Sequence, residues 1–596
     1  MSVPVLYRIR PASPEAHLFE VSLTVAQPAK KGQMFHLPAW IPGSYMIREF
    51  ARHIVSLRAE CSGRPVAVQK LDKHSWQADP VDGVLTLHYQ VYAFDLSVRG
   101  AYLDKQRGFF NGTSVFLAVE GYEQTACDVE IEAPKGKHYQ DWRVATSLPV
   151  RPDKQKGRGF GRYRAENYDE LIDHPVELGA FESVSFKACG VPHEFVVSGL
   201  FRADLKRLAR DAKKICEWHI RLFGEPAPFD RYVFMLFAGK DIYGGLEHRS
   251  STALMCDRDD LPLPGAKQIS DGYMRLLGLI SHEYFHAWNV KRLKPAVFQP
   301  YDLAREGHTH LLWAFEGITS YYDDLALLRA GLIDRERYLG QLAETISGVM
   351  RGNGRTKQTL EESSFDAWIK YYRQDENSPN SIVSYYAKGA LVALSLDLLI
   401  RDKTRGAKSL DDVMRFLWKK WQKDGAGLAE DEWESLAIDA TGLDLRDFFD
   451  RALRSTEDLP LAALLATQGI KLDYDLAASA GDRGGFGALK PAPESPRATL
   501  GVKASTDVLG VRLQQVFDGG AAQAAGLSGG DVIVAVDGLR VADPEKMQAR
   551  LMPGQSATVH AFRRDELMTL QVLPQAQAPD ACRLSQMKKT GRWPAD

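Results

Sequence analysis

The sequence predicts a multidomain α+β chain: an N-terminal β-sandwich, a mixed domain with a helical lobe, and a small β-rich module near the C-terminus. Three observations carry this. The first 185 residues alternate apolar and polar residues between turn signals. Residues 308 to about 455 repeat apolar side chains at helical spacing. A Gly-, Pro- and Ala-rich stretch, Ala478–Ser495, then separates a final block of short strands. A length of 596 residues suits three or more domains.

Strands are expected over Leu18–Val25, Val55–Ala59, Val84–Tyr92, Ser114–Val119 and Cys127–Glu132, with turns at Ser62-Gly63 and Val81-Asp82-Gly83. Such a series suggests a sandwich. The segment Pro38-Ala39-Trp40-Ile41-Pro42-Gly43-Ser44-Tyr45 breaks the alternation; it reads either as a structural turn or as a wall of a substrate cleft. A helix is expected over Arg202–Phe223, where Leu205, Leu208, Ala212, Ile215 and Leu222 share a face, and strands at Arg231–Ala238 and Ser251–Cys256. Between these strands, Gly244 and Gly245 let a backbone approach a ligand closely, and Glu247 can hold an ammonium group. The alternative is a glycine turn with an exposed glutamate. Helices follow at His308–Leu328, Ser381–Arg401 and Trp418–Phe448. The last block holds strands at Leu500–Lys503, Gly510–Val516, Asp531–Val536 and Ala557–Arg563 around a helix at Pro544–Arg550. The polar tail after Gln575 is expected to be loose.

Composition excludes several classes. The formal net charge is −2, without the basic footprint of a nucleic-acid or acidic-membrane binder. No run of eighteen apolar residues predicts a membrane span. The start, MSVPVLYRIRPASPE, has no basic region followed by an apolar one, so a cytoplasmic location is expected. Six scattered cysteines without a C-x-x-C pair argue against a disulfide framework or a cysteine-type zinc site.

The chemistry centres on Leu276–Lys291, LLGLISHEYFHAWNVK. Leu276, Leu277, Ile280, Tyr284 and Trp288 recur at helical spacing; Ser270 or Asp271 can cap the start, and Pro295 lies just beyond the basic end Lys291–Lys294. Within it His282-Glu283-x-x-His286 places two imidazoles on one helix face, with a carboxylate beside them to act as base. A catalytic zinc needs a third protein ligand and an open position. Glu306 and Glu316 compete for that role, with His308 and His310 as further rivals. Asp323 can orient a ligand imidazole.

HEYFHAWN at 282–289, Trp313-x-x-Glu316-Gly317, YGGLEH at 243–248, Tyr386-x-Lys388-Gly389, the WIPGSY loop and AWNVKRLKP together resemble the glycyl aminopeptidase family of gluzincin zinc metallopeptidases, related to aminopeptidase N. The resemblance implies a thermolysin-like catalytic domain and one Zn2+ ion held by His282, His286 and Glu316. It implies Glu283 as general base and Tyr386 as oxyanion donor, with Tyr385 as the fallback. It also implies that Glu247, beside Gly244 and Gly245, anchors the free α-ammonium of peptides with a small first residue, Gly or Ala. Phe517–Leu527, Gly530-Asp531-Val532-Ile533 and Asp537-Gly538 resemble bacterial PDZ domains, with Leu500-Gly501-Val502 similar to their carboxylate-binding loop. That module either captures protein C-termini or only packs on the enzyme. The expected division is a β-sandwich at 1–185, the peptidase domain at 186–475, a linker at 476–497, the PDZ domain at 498–576 and a tail at 577–596. A PDZ-directed endopeptidase and a non-catalytic peptide-binding scaffold are the alternatives to an aminopeptidase.

Overall fold

The computed structural model describes residues 4–151, 159–479, 481–489, 497–588, 591 and 593–594. The chain forms two compact units. One comprises Met1–Gly307, Tyr322–Leu332 and Met414–Ala429; the other comprises His308–Tyr321, Ile333–Val413 and Glu430–Asp596.

The first unit begins with the sandwich. In Leu18–Val25 every second side chain (Phe19, Val21, Leu23, Val25) is fully buried, the period of a pleated strand with one face inward. Each such burial contributes about 1.5–3 kcal/mol. The strand lies mid-sheet in the order Gly161–Ala165, Cys127–Ile131, Val5–Ser13, Leu18–Val25, Leu85–Tyr92, Ile54–Cys61, Arg64–Val66, and two four-stranded sheets share its core. The strand expected over Ser114–Val119 is mostly absent. Gly112–Val115 is a short helix, and only Ala118–Val119 is extended. Small polar groups close the turn: the Ser114 hydroxyl donates to the Asn111 carbonyl at 2.8 Å, and the Asn111 amide donates to the Val98 carbonyl at 2.8 Å.

A five-stranded sheet follows, ordered Glu182–Ala188, Val191–Gly199, Tyr232–Gly239, Ser251–Asp257, Gly244–Glu247. Its three inner strands are parallel, and the middle one, Tyr232–Gly239, reads as a continuous apolar run. Gly244–Glu247 is the antiparallel edge, with Gly245 opposite Leu254 and Glu247 opposite Thr252. Helix Leu205–Phe223 starts at Asp204, whose carboxylate accepts from the Arg207 N–H at 2.9 Å.

The second unit is a helical lobe. Helix Ala387–Lys403 carries apolar residues on all sides and is buried through most of its length, with Lys388, Ser395 and Asp397 buried among them. The PDZ-like sheet runs Val502–Thr506, Val511–Val516, Val532–Val536, Ala557–Arg563, Glu566–Val572 around a core including Leu513, Ile533 and Val559. Helix Pro544–Ala549 is capped by Asp543.

The tail is not loose. Ala581–Gln586 pairs antiparallel with Ile470–Asp475 and parallel with Gly485–Phe486, which lies inside the expected linker. Arg583 bonds Asp475 at 3.0 Å and Asp482 at 2.8 Å. Trp593 is buried and donates to the Tyr321 hydroxyl at 3.1 Å. The partner strand is more than a hundred residues earlier in the chain, which is why local polarity misleads here. Residues 480 and 490–496 of the linker lie outside the described residues. The PDZ-like module is thus inserted between strands of a three-stranded sheet.

Candidate active site

The metal-motif helix runs Asp271–Phe285, with the Ser270 hydroxyl accepting from the Tyr273 N–H at 3.1 Å. It stops earlier than the basic end at Lys291–Lys294. His286 is the C-cap, and the chain turns: Val290 takes φ +97°, its N–H donates to the Leu293 carbonyl at 2.6 Å, and the Leu293 N–H donates to the Trp288 carbonyl at 2.9 Å. The turn has a use. In a continuing helix the Asn289 carbonyl would point along the axis; here it accepts from His286 Nδ1 at 2.8 Å. Nδ1 of His282 meets the Asp323 carboxylate at 3.1 Å. Both rings are thereby oriented, and Nε2 is the nitrogen each would offer a metal. The rings stand 4.7 Å apart at 85°. Burial raises the Asp323 carboxyl above its ordinary range, and His282 pulls it the other way.

Glu316 sits in a π-helical turn, Trp313–Gly317, that continues into helix Ile318–Arg329. Such turns recur at functional sites. Glu316 is buried in that turn. Two imidazoles and one carboxylate are the donor set that would suit zinc in a catalytic setting. The rivals are differently placed. Glu306 is exposed, His308 Nδ1 meets the Phe365 carbonyl at 2.8 Å, and His310 pairs with Glu430 at 3.2 Å.

Gly317 explains the end of the W-x-x-E-G segment. A Cβ there would stand 2.6 Å from Gly389 Cα, and one on Gly389 would stand 2.9 Å from Gly317 Cα. The Glu316 turn and helix Ala387–Lys403 therefore cross at a glycine–glycine contact. Tyr386 precedes that helix, so the two tyrosines occupy the helix entrance and not a helical face as expected. Its hydroxyl lies 3.1 Å from that of Tyr372, and its ring stacks on Tyr371 at 5.4 Å. Tyr385 is fully buried, whereas Tyr386 is partly exposed. Burial raises the Tyr371 phenol; the nearby Glu316 carboxylate adds to this, and the bond to Ser384 opposes it. The sequence reading did not single out Tyr371 and Tyr372; the paired aromatics were their one signal.

A second cluster lies on the first unit. Ligand atoms of Glu247, Glu283 and His286 also lie within 4.8 Å of one another. The edge strand comes so close to the helix that a side chain on Gly245 would collide with the Glu283 carboxylate. Glu247 is buried, and Gly43 of the WIPGSY loop, at φ +95°, lies against its carboxylate with no room for a Cβ. That loop is pinned by Trp40 Nε1 donating to the Asp302 carbonyl at 2.8 Å. Next to Glu247, burial holds His248 at about 4, so it is neutral beside Asp173. Burial alone would raise Asp173; Lys291, at 2.6 Å, and Arg249 outweigh it and hold the carboxyl well below its ordinary range.

Profiles of known families match three stretches: the Peptidase M61 N-terminal domain over residues 6–180, the M61 glycyl aminopeptidase over 275–392 and the PDZ domain over 498–573. A crystal structure of an aminopeptidase N family protein from Idiomarina loihiensis is 43% identical, covers 98% of each chain and superposes with a TM-score of 0.94. The chain belongs to the M61 glycyl aminopeptidase family. As an M61 member it is a peptidase of the aminopeptidase type, carrying a PDZ domain. The M1 zinc metallopeptidase from Deinococcus radiodurans is 14% identical, with 77% of this chain and 96% of that one covered and a TM-score of 0.48. No curated protein matches the M61 chain. Among the described residues no helix is long and apolar enough to cross a membrane.

Proposed function

We propose that the protein removes single small residues, Gly or Ala, from the free N-terminus of peptides, using one zinc ion held by His282, His286 and Glu316. The observation that carries this reading is the Glu247–Glu283–His286 cluster. In a peptide the α-nitrogen lies only about 2.5 Å from its own carbonyl carbon. A carboxylate that holds the ammonium so near the base leaves room for the first peptide bond alone to react. Glu247 grips the ammonium, and the backbone of Gly244 and Gly245 on the open sheet edge pairs with the substrate strand. Zinc held there would polarise the scissile carbonyl and lower the pKa of a bound water towards about 7. Glu283 takes the proton from the attacking water and passes it to the leaving amine. Tyr386 donates to the developing oxyanion. Its place, three residues before the Gly389 that touches Gly317, supports that role. His282 and His286 keep their orientation through Asp323 and the Asn289 carbonyl.

The domain division proposed is 1–185, 186–475, 476–497, 498–576 and 577–596. In the PDZ domain Leu500, Gly501 and Val502 receive a peptide C-terminus beside Val502–Thr506, an edge strand among the described residues. Gly501, at φ +70°, has no room for a Cβ against Gly520. The location proposed is cytoplasmic.

The test is a mass-spectrometric digest of matched Gly-initiated peptides, free or N-acetylated, with and without chelator. Chelator-sensitive release of single residues from the free peptides alone is expected. Internal cleavage of both peptides would overturn the exopeptidase reading.

A further inference from the structure

A cavity of about 1010 Å³ opens in the first unit, and none of its lining residues is a proposed metal ligand, base or ammonium anchor. Four cations line it: Arg249, Lys291, Arg292 and Lys294. Two are neutralised. Arg249 pairs with Asp169, and Lys291 pairs with Asp173 at 2.6 Å. The other two have no carboxylate partner among the described residues. Arg292 donates only to the backbone carbonyls of Arg249, Ala287 and Pro228. Lys294, 7% exposed, meets only Tyr301, with its ammonium 3.1 Å from the hydroxyl and 4.4 Å from the ring centroid. The lining acids are committed elsewhere: Asp302 bonds Arg305 at 2.6 Å, and Glu123 accepts from the Gly121 N–H at 2.9 Å.

A buried ammonium without a counter-charge is costly unless something pairs with it. Burial, then Arg249 and Lys291, pulls Lys294 down to about 7, so an anion placed there would restore its charge. The cavity is far larger than a single ion needs, and Phe298 and Trp421 supply apolar wall. We propose that this cavity binds a small organic oxyanion, a carboxylate or phosphate ester whose head meets Lys294 in the field of Arg292 and whose apolar body lies against Phe298 and Trp421.

Calorimetric titration of the full chain with phenyl phosphate, benzoate and inorganic phosphate tests this, with benzylammonium as the cationic control. Phenyl phosphate and benzoate are expected to bind saturably at one site, phosphate more weakly, and benzylammonium not at all. K294M should weaken both aryl anions at least tenfold, and K294R should restore binding. W421L, which leaves the charge in place, should weaken the aryl anions several-fold and leave phosphate unchanged; it carries the test if K294M does not fold. Absence of saturable binding by all three anions, or equal affinity in K294M, would overturn the proposal. Phosphate binding as tightly as phenyl phosphate would overturn the role of the apolar wall.

Discussion

Replacing Gly317 by alanine probes the crossing that holds the Glu316 turn. The new methyl would stand 2.6 Å from Gly389 Cα, 2.7 Å from its carbonyl carbon and 2.8 Å from the Tyr385 carbonyl oxygen, where ordinary contact begins at 3.4 Å. All three are backbone atoms, so no side chain can rotate aside. The Glu316 turn and helix Ala387–Lys403 must separate by about 0.8 Å. Alanine gains up to about 1 kcal/mol over glycine inside a helix. Overpacking costs about 1–3 kcal/mol, so a net loss on the order of 1–2 kcal/mol is expected. The displaced turn also carries a proposed metal ligand, and zinc affinity should fall roughly tenfold or more. Urea unfolding and zinc titration against a competing chelator read the two effects. G348A, where nothing lies within 4 Å of the added methyl, should instead stabilise the same lobe by up to about 1 kcal/mol. A G317A protein with unchanged urea midpoint and zinc affinity would refute the crossing as a constraint.

E283Q should keep its zinc and lose about 10²–10⁴-fold in turnover; turnover near that of the wild type would remove Glu283 as base. D323N should weaken zinc binding about 10–100-fold by releasing the His282 ring, checked by metal content after dialysis, and unchanged retention would reject the positioning role. Acid should destabilise the fold through His193 and His219, which burial holds at about 4 and about 3. The unfolded chain protonates these rings near 6.5. It therefore binds more protons below that value, so stability falls as pH drops from about 6.5 towards 4, with a slope approaching ~2.7 kcal/mol per pH unit from the pair. Urea midpoints between pH 7 and 5 measure this; a flat profile, or one unaltered in H193Q, would contradict it.

The two histidines and Glu283 were legible because their spacing and the helix period coincide within one short segment. The strands of the sandwich were legible for the same local reason, as the alternation in Leu18–Val25 shows. What escaped depends on contacts between distant residues or on backbone atoms, which no side-chain pattern records. The Asn289 carbonyl orients His286 only because the helix ends early. Gly317 and Gly389 read as separate motif endings, and their mutual contact is visible only in three dimensions. Spacing alone leaves Glu306 and Glu316 both open as the third ligand, and only the family resemblance favours Glu316. The Ser114–Val119 strand failed because Asn111 and Ser114 offer the backbone an alternative to a ladder.

The strand at Ala581–Gln586 changes what it would mean to remove the PDZ domain. Cutting the chain after the last PDZ strand, at Val572, would also take away the middle strand of the Ile470–Asp475 sheet, both acidic partners' claim on Arg583, and the Trp593 plug beneath Tyr321. Such a truncation would confuse loss of peptide capture with loosening of the lobe. A clean excision must rejoin the chain near Phe486 to the chain near Ala581. For the same reason, one protease nick in the stretch that leads into the domain would leave it attached by its other end.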